Sequence, residues 1–221
     1  GVLPAADHNN HLLSEEQGKK RLGESTYRIL AGNHNPFPSA HIPSVIDAAI
    51  TGKPYPIKSF LHFGNNGIIS NADAHKTVKA LKAAEFNLCM DLFMTPTAEL
   101  CDIVLPAAYW MELDEIHCAP DWGHTILVQK KVVRTYECKS DEEVFCEICE
   151  RMGLDYGAKQ PSDIYDEQLR RAAEKYPQLK GINFEKMKEM SYIQIPYEYK
   201  KYEKRGGFRT PTGKIELYST V

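Results

Sequence analysis

Residues 58–106 present their elements in an order that few folds accept. An apolar run over 58–63 stops at Gly64-Asn65-Asn66-Gly67. A helical period follows over 72–84. A second apolar run, 86–90, stops at Asp91-Leu92-Phe93-Met94-Thr95-Pro96-Thr97-Ala98, and a third over 102–105 ends on Pro106. Short strands separated by a helix or a long connection pair in parallel, with right-handed crossovers. The fold class expected is therefore α/β, a Rossmann-like three-layer fold with a parallel sheet core and additional helices near the C-terminus. Open parallel sheets bind ligands outside the carboxyl ends of their strands. Two of those ends carry small, hydrogen-bonding residues here, so the search for chemistry begins with them.

The flanking sequence sets the boundaries. Residues 1–40 read as irregular, with a turn cluster over 33–38. Pro43 suits the first turn of a helix over 43–50, whose face is Val45, Ile46, Ala49 and Ile50 and which Gly52 closes. Asn71 caps the helix over 72–84, with Thr77, Val78, Leu81 and Ala84 inward. A strand is expected over 125–133. Ser140 and Glu143 form a capping box for a helix over 141–152, with a stripe of Val144, Phe145, Ile148, Cys149 and Met152. Ser162 opens a further helix to residue 175, residues 197–205 read as a solvated linker, and a strand starts at 214–218. The expected division is an irregular segment 1–40, a Rossmann-like domain 41–155, a helical extension and linker 156–206, and a last piece 207–221.

Composition excludes some classes. A net charge of −3 supplies no basic stripe, which argues against nucleic-acid binding. No apolar run approaches the roughly 20 residues of a membrane helix, so no direct membrane insertion is expected. The chain opens on Gly1-Val2 rather than methionine, which reads as a piece of a longer protein. Its compartment, cytoplasmic or periplasmic, stays open. Six cysteines at irregular spacing read as free, mostly buried thiols. Neither His8 with His11 nor His117, Cys118 and His124 has the four-ligand spacing of a zinc site. Cys146 and Cys149 lie within an amphipathic helix, which favours packing over redox chemistry.

At the first strand end, Gly64 lets backbone approach a ligand, while Asn65 and Asn66 can donate and accept; an ordinary turn uses the same residues. At the second, one carboxylate, Asp91, can accept both N1–H and N2–H of a guanine, or a ribose diol. Equally, it can cap the short turn 95–100. Thr95 is read as a ligand contact, Thr97 as structural. Asp102 serves backbone N–H groups, and Glu112 receives no chemistry.

Residues 91–115 resemble the third domain of the molybdopterin-dependent oxidoreductases, the dimethyl sulfoxide reductase and formate dehydrogenase superfamily. The pattern D-x-F-x-T-x-T-A-x-x-A-D-I-V-L-P, then a glutamate, is matched by Asp91, Phe93, Thr95, Thr97, Ala98, Asp102, Ile103, Val104, Leu105, Pro106 and Glu112. The strand end at Gly64 is similar to the family's Gly-x-Asn-Pro, with Gly67 in place of proline, and residues 207–219 look like the start of a fourth domain. The resemblance implies a molybdopterin guanine dinucleotide carrying molybdenum or tungsten, contacted by Gly64, Asn65, Asn66, Asp91, Phe93 and Thr95. No catalytic or metal-ligand residue falls in this chain by that reading. It also implies an iron–sulfur cluster elsewhere in the intact protein, further domains of the same chain, a small-molecule substrate and an electron-transfer subunit. The competing reading is a non-catalytic, flavodoxin-like nucleotide-binding or scaffold module.

Overall fold

The computed structural model describes residues 14–27, 31, 39–119, 125–133, 137–155, 157–196, 198–208, 210, 212–215 and 217. A three-stranded parallel sheet holds β1 (Ser59–Phe63), β2 (Phe86–Asp91) and β3 (Ile103–Pro106) in that spatial order. Phe63 pairs with Met90, and Asp91 with Pro106, so all three strands end on one edge.

Alternation along the strands gives the sheet two faces. His62 and Cys89 point to one, along with Asn87, whose side-chain amide donates to the carbonyl of Leu81 at 2.9 Å. Two helices cover that side, α2 (Ile42–Thr51) and, across the β1–β2 crossover, α4 (Ala74–Ala83). Ile46, Ala49 and Ala80 meet there with Ile57 and Phe60 packed around them. The opposite face carries Phe63, Leu88 and Met90. Phe63 stacks on Phe145 of α5 (Asp141–Arg151), centroids 4.5 Å apart. The α/β expectation is met: a parallel sheet with several helices about it.

The local sequence signals are met in part, for physical reasons. The capping box of α5 is present: Glu143 N–H donates to Ser140 Oγ at 3.0 Å, and Ser140 N–H to Glu143 Oε2 at 2.8 Å. Its buried stripe is rotated, however. Val144 and Cys146 are the buried residues, whereas Phe145 and Met152 are exposed and Cys149 is half-buried. Likewise Ala48 is buried on α2 and Ile50 exposed. The cap of α4 is Asp73, which accepts from Lys76 N–H at 2.9 Å. Asn71 instead closes a short helix, α3 (Gly67–Ser70), that the sequence did not announce. Gln160 rather than Ser162 precedes α6 (Pro161–Lys175), with Pro161 at its start. Within the expected irregular segment, α1 (Glu15–Lys19) has a capping box of Ser14 and Gln17.

A second, antiparallel sheet was not foreseen. It is formed by β4 (Glu115–Ala119), β5 (Thr125–Gln129) and β6 (Tyr192–Gln194). The strand expected over 125–133 therefore stops at Gln129 and belongs outside the parallel sheet. With α6 and α7 (Phe184–Met190) it encloses Ile116, Ile126, Tyr165, Leu169, Leu179 and Met187. Each such side chain contributes about 1.5–3 kcal/mol on burial, enough for a core of its own. Past it lies α8 (Lys201–Lys204), where a linker was expected, and the described residues over 214–217 form no strand.

Candidate functional site

The carboxyl edge of the parallel sheet is built by two loops. Gly64 leaves β1 with φ +55°, a conformation that favours glycine, and its N–H donates to Met90 O at 3.0 Å. Ala107 N–H donates to Asp91 O at 3.2 Å. Both bonds extend the sheet ladder by one rung, so the loops start from fixed positions.

Thr97 holds the loops together. It is fully buried, its hydroxyl donates to Asn66 Oδ1 at 2.8 Å, and it accepts from Ile68 N–H at 3.1 Å. One side chain thus ties the β2 loop to the end of the β1 loop and to α3. The structural role read for Thr97 matches this geometry, and the closeness of the loops follows from it.

Asp91 ends β2 and is half-buried. Its Oδ1 accepts from Leu92 N–H at 2.7 Å and from Phe93 N–H at 3.3 Å, closing a tight local turn. No described bond engages Oδ2. Asp91 does not cap the 3₁₀ turn Ala98–Leu100; Thr97 precedes that turn without a side-chain cap bond, and Thr95 Oγ1 accepts from Ala98 N–H at 3.2 Å. The Thr95 hydroxyl proton remains to be donated. Asn65 is exposed, and among the described residues its side chain has one long contact, accepting from Ser70 Oγ at 3.4 Å. Asn66 uses its carbonyl on Thr97, leaving its amide nitrogen as donor.

Beside these polar groups stands an apolar rim that sequence reading assigned only through Phe93. Phe93 is 75% exposed, Met94 63%, Leu92 47%, and Ile69 of α3 69%. Four large apolar side chains around one polar edge make a surface suited to a flat, partly apolar molecule. The signal was an apolar triplet set in a loop of threonines and proline.

Several candidates resolve as structure. Asp102 Oδ2 accepts from Asn87 N–H at 2.6 Å, the backbone service expected of it. Glu112 accepts from Tyr109 N–H at 2.9 Å and from Cys138 Sγ at 3.3 Å. His8, His11 and His124 lie outside the described residues. A cavity of about 660 Å³ opens elsewhere, lined by Glu112, Asp114, Lys131, Cys138, Ser140 and Glu143 among others. Its polar groups are largely spent: Ser140 and Glu143 on each other, Asp114 on Lys131 N–H and Lys188. The strand-end loops keep more unclaimed hydrogen-bonding capacity, and we place the site there.

Comparison with known proteins decides the family. The molybdopterin oxidoreductase family model matches residues 8–151, well over half of the chain. The chain belongs to the molybdopterin oxidoreductase family. Acetylene hydratase of Syntrophotalea acetylenica is 29% identical over 237 residues, covering 95% of this chain and 30% of that protein. A probable oxidoreductase of Bacillus subtilis is 34% identical over 169 residues, 74% of this chain and 24% of the relative. The solved acetylene hydratase from Pelobacter acetylenicus superposes with a TM-score of 0.75 at 27% identity, over 94% of this chain and 30% of its own. The chain therefore spans about 30% or less of the length of these relatives. Membership implies a molybdopterin cofactor.

Proposed function

We propose that this chain binds part of a molybdopterin guanine dinucleotide across the carboxyl edge of its parallel sheet, within a longer oxidoreductase. The observation that carries this is Asp91. Its Oδ1 is saturated by two loop amides, among the described residues its Oδ2 has no partner, and the ring of Phe93, two residues on, is exposed. A guanine offers adjacent N1–H and N2–H donors, and an oxygen with two free lone pairs can receive both. Adenine presents an acceptor at N1 and would be repelled. The Phe93 ring can cover the base, while the Thr95 hydroxyl and the Asn65 and Asn66 amides are donors for ribose or phosphate oxygens. The donor set fits the group.

When bound, the cofactor's molybdenum or tungsten supplies two-electron redox or oxygen-atom transfer. The residues of this chain bind and orient; none of them handles a proton or electron of the reaction. Turnover then requires further domains of the same polypeptide, an iron–sulfur cluster held there, and an electron-transfer partner. Relatives named for acetylene hydration and for formate oxidation support a small-molecule substrate, which residues outside this edge select.

Calorimetry with guanosine 5′-diphosphate tests the assignment. Guanosine diphosphate should bind at least about tenfold more tightly than adenosine diphosphate, the scale of one good charged bond. Asp91→Asn keeps an oxygen for the loop amides but removes the charge. It should erase most of that preference while leaving the melting temperature in place. Equal affinity for the two nucleotides in the parent chain would remove Asp91 from the site.

A further inference from the structure

We propose that Cys146 and Cys149 form a two-thiolate site for a soft monovalent cation, with cuprous copper as its occupant. The role of this pair does not depend on what the strand ends bind.

The helix sets the pair. Both cysteines lie in α5, three residues apart. Side chains at that spacing share one face of a helix, with Cβ atoms about 5–6 Å apart. Cys146 is buried and Cys149 half-buried. Neither is sealed into a core: the two hydrophobic clusters of the described residues include neither thiol. Both instead line one cavity of about 480 Å³, together with Leu154, Asp155, Lys159 and Asp163. One reachable sulfur and one deep sulfur on the same wall give an ion a way in and a dry seat.

The donor set selects the ion. Among the described residues no three His, Cys, Asp or Glu side chains gather as a metal-binding group. Structural zinc takes four ligands and an iron–sulfur cluster takes four thiolates, so two sulfurs suit neither. Calcium and magnesium require several oxygen donors. The aspartates of the cavity are largely committed elsewhere. Asp155 accepts from Gly157 N–H at 2.9 Å, and Asp163 from Lys159 N–H at 2.9 Å and Gln160 N–H at 3.2 Å. Cuprous copper is soft, is selected by thiolates, and is satisfied by two of them.

Binding needs no redox step. Each thiol gives its proton to solvent, each sulfur donates an electron pair to the ion, and copper stays cuprous. The assembled site then carries one net negative charge, and Lys159 on the same wall supplies a positive one. Burial pushes the Cys146 thiol up, and Cys149, Asp163 and Glu142 push it further. The ion must displace a firmly held proton, so affinity should rise with pH.

The test is an anaerobic titration of the reduced chain with cuprous ion held by a coloured chelator, bicinchoninate, repeated with zinc as competitor. The chain should withdraw one copper from the chelator, release two protons as it does so, and bind more tightly at pH 8 than at pH 6. Zinc at the same concentration should not displace the copper. Because Cys146 is buried, a serine there replaces a packed sulfur, so the half-buried Cys149 carries the test. Cys149→Ser should leave the urea midpoint in place and weaken copper binding at least about a hundredfold, more than the loss of an outer-shell partner costs. Cys101→Ala should bind copper as the parent does. No withdrawal of copper by the parent chain, equal uptake by the parent and Cys149→Ser, or displacement of the copper by equimolar zinc would each overturn the proposal.

Discussion

Replacing Thr97 by valine should loosen the site edge more than its size change suggests. Valine matches threonine in shape but has no hydroxyl. Two bonds disappear: the donation to Asn66 Oδ1 at 2.8 Å and the acceptance from Ile68 N–H at 3.1 Å. The losses are unequal. Asn66 is half-buried and can turn its oxygen to water, so this bond is worth about 1 kcal/mol. Ile68 is buried, and its amide would be left without a partner at a cost of about 1–3 kcal/mol. The sum is about 2–4 kcal/mol. Thr97→Ser keeps both bonds and loses one buried methyl, at about 1 kcal/mol. The two cores of this chain need not unfold together, so a single global melt could mislead. Amide exchange in urea, followed at Leu88 and Met90 for the parallel unit and at Ile126 for the other, separates them. The valine variant should speed exchange at Leu88 and Met90 well beyond the serine variant and leave Ile126 unaffected. Serine proving as costly as valine would mean that volume, not the hydroxyl, sets the role of Thr97.

Two further outcomes follow from neighbouring positions. Gly67 is the first residue of α3, its φ is not in the left-handed region, and its N–H has no described partner. Asn66 before it, at φ −88° and ψ 72°, is outside the helical region. Gly67→Pro should therefore raise stability by about 0.4–1 kcal/mol through the unfolded chain, provided Asn71 Nδ2 gives slightly at 3.3 Å from the new Cβ; a lower urea midpoint would refute this. His62 is buried with Nε2 unbonded, and burial lowers its proton affinity. Its folded pKa then lies below the unfolded one, so the unfolded state binds more protons as pH falls from about 7 through the ordinary histidine range, and stability falls with it. His62→Phe should flatten that part of the pH profile and add about 1 kcal/mol by removing an orphaned polar atom. An unchanged slope between pH 7 and pH 5 would show that other groups dominate.

How much of this was legible depended on whether a signal was local. The parallel unit was readable because each of its strands is a compact apolar run closed by turn chemistry at Gly64, Asp91 and Pro106. The capping box of Ser140 and Glu143 needs only residues three apart. By contrast, β4 reads Glu-Ile-His-Cys-Ala and β6 is three residues long. Neither carries a strand pattern of its own, and both take their conformation from pairing with β5. Helix faces are legible in part: Ile46, Ala49, Thr77, Leu81 and Val144 are buried as expected, while Ile50, Phe145 and Met152 are exposed. Cys146 is buried and Phe145 exposed although Phe145 stacks on Phe63, and periodicity alone does not show which side of α5 the neighbouring α6 covers. At the site, residue types were legible but not the division of labour between Asp91 and Thr95 within one loop.

That division bears on how tightly a ligand can be held. Most of the polar capacity of the loop is already committed internally: Asp91 Oδ1 to two amides, Thr95 to Ala98, Thr97 to Asn66 and Ile68. The loop is thus organised before anything binds, and a ligand need not supply the ordering free energy. What it finds is a short set of free groups: Asp91 Oδ2, the Thr95 proton and two asparagine amides. Around them lie Leu92, Phe93, Met94 and Ile69, whose exposure is unfavourable in water. Polar groups that are few and fixed give discrimination between bases rather than large affinity, while the apolar rim gives affinity with little discrimination. Covering the rim by a base, or by another protein surface, satisfies the same physical demand, so nucleotide binding and self-association of this chain should compete at one edge.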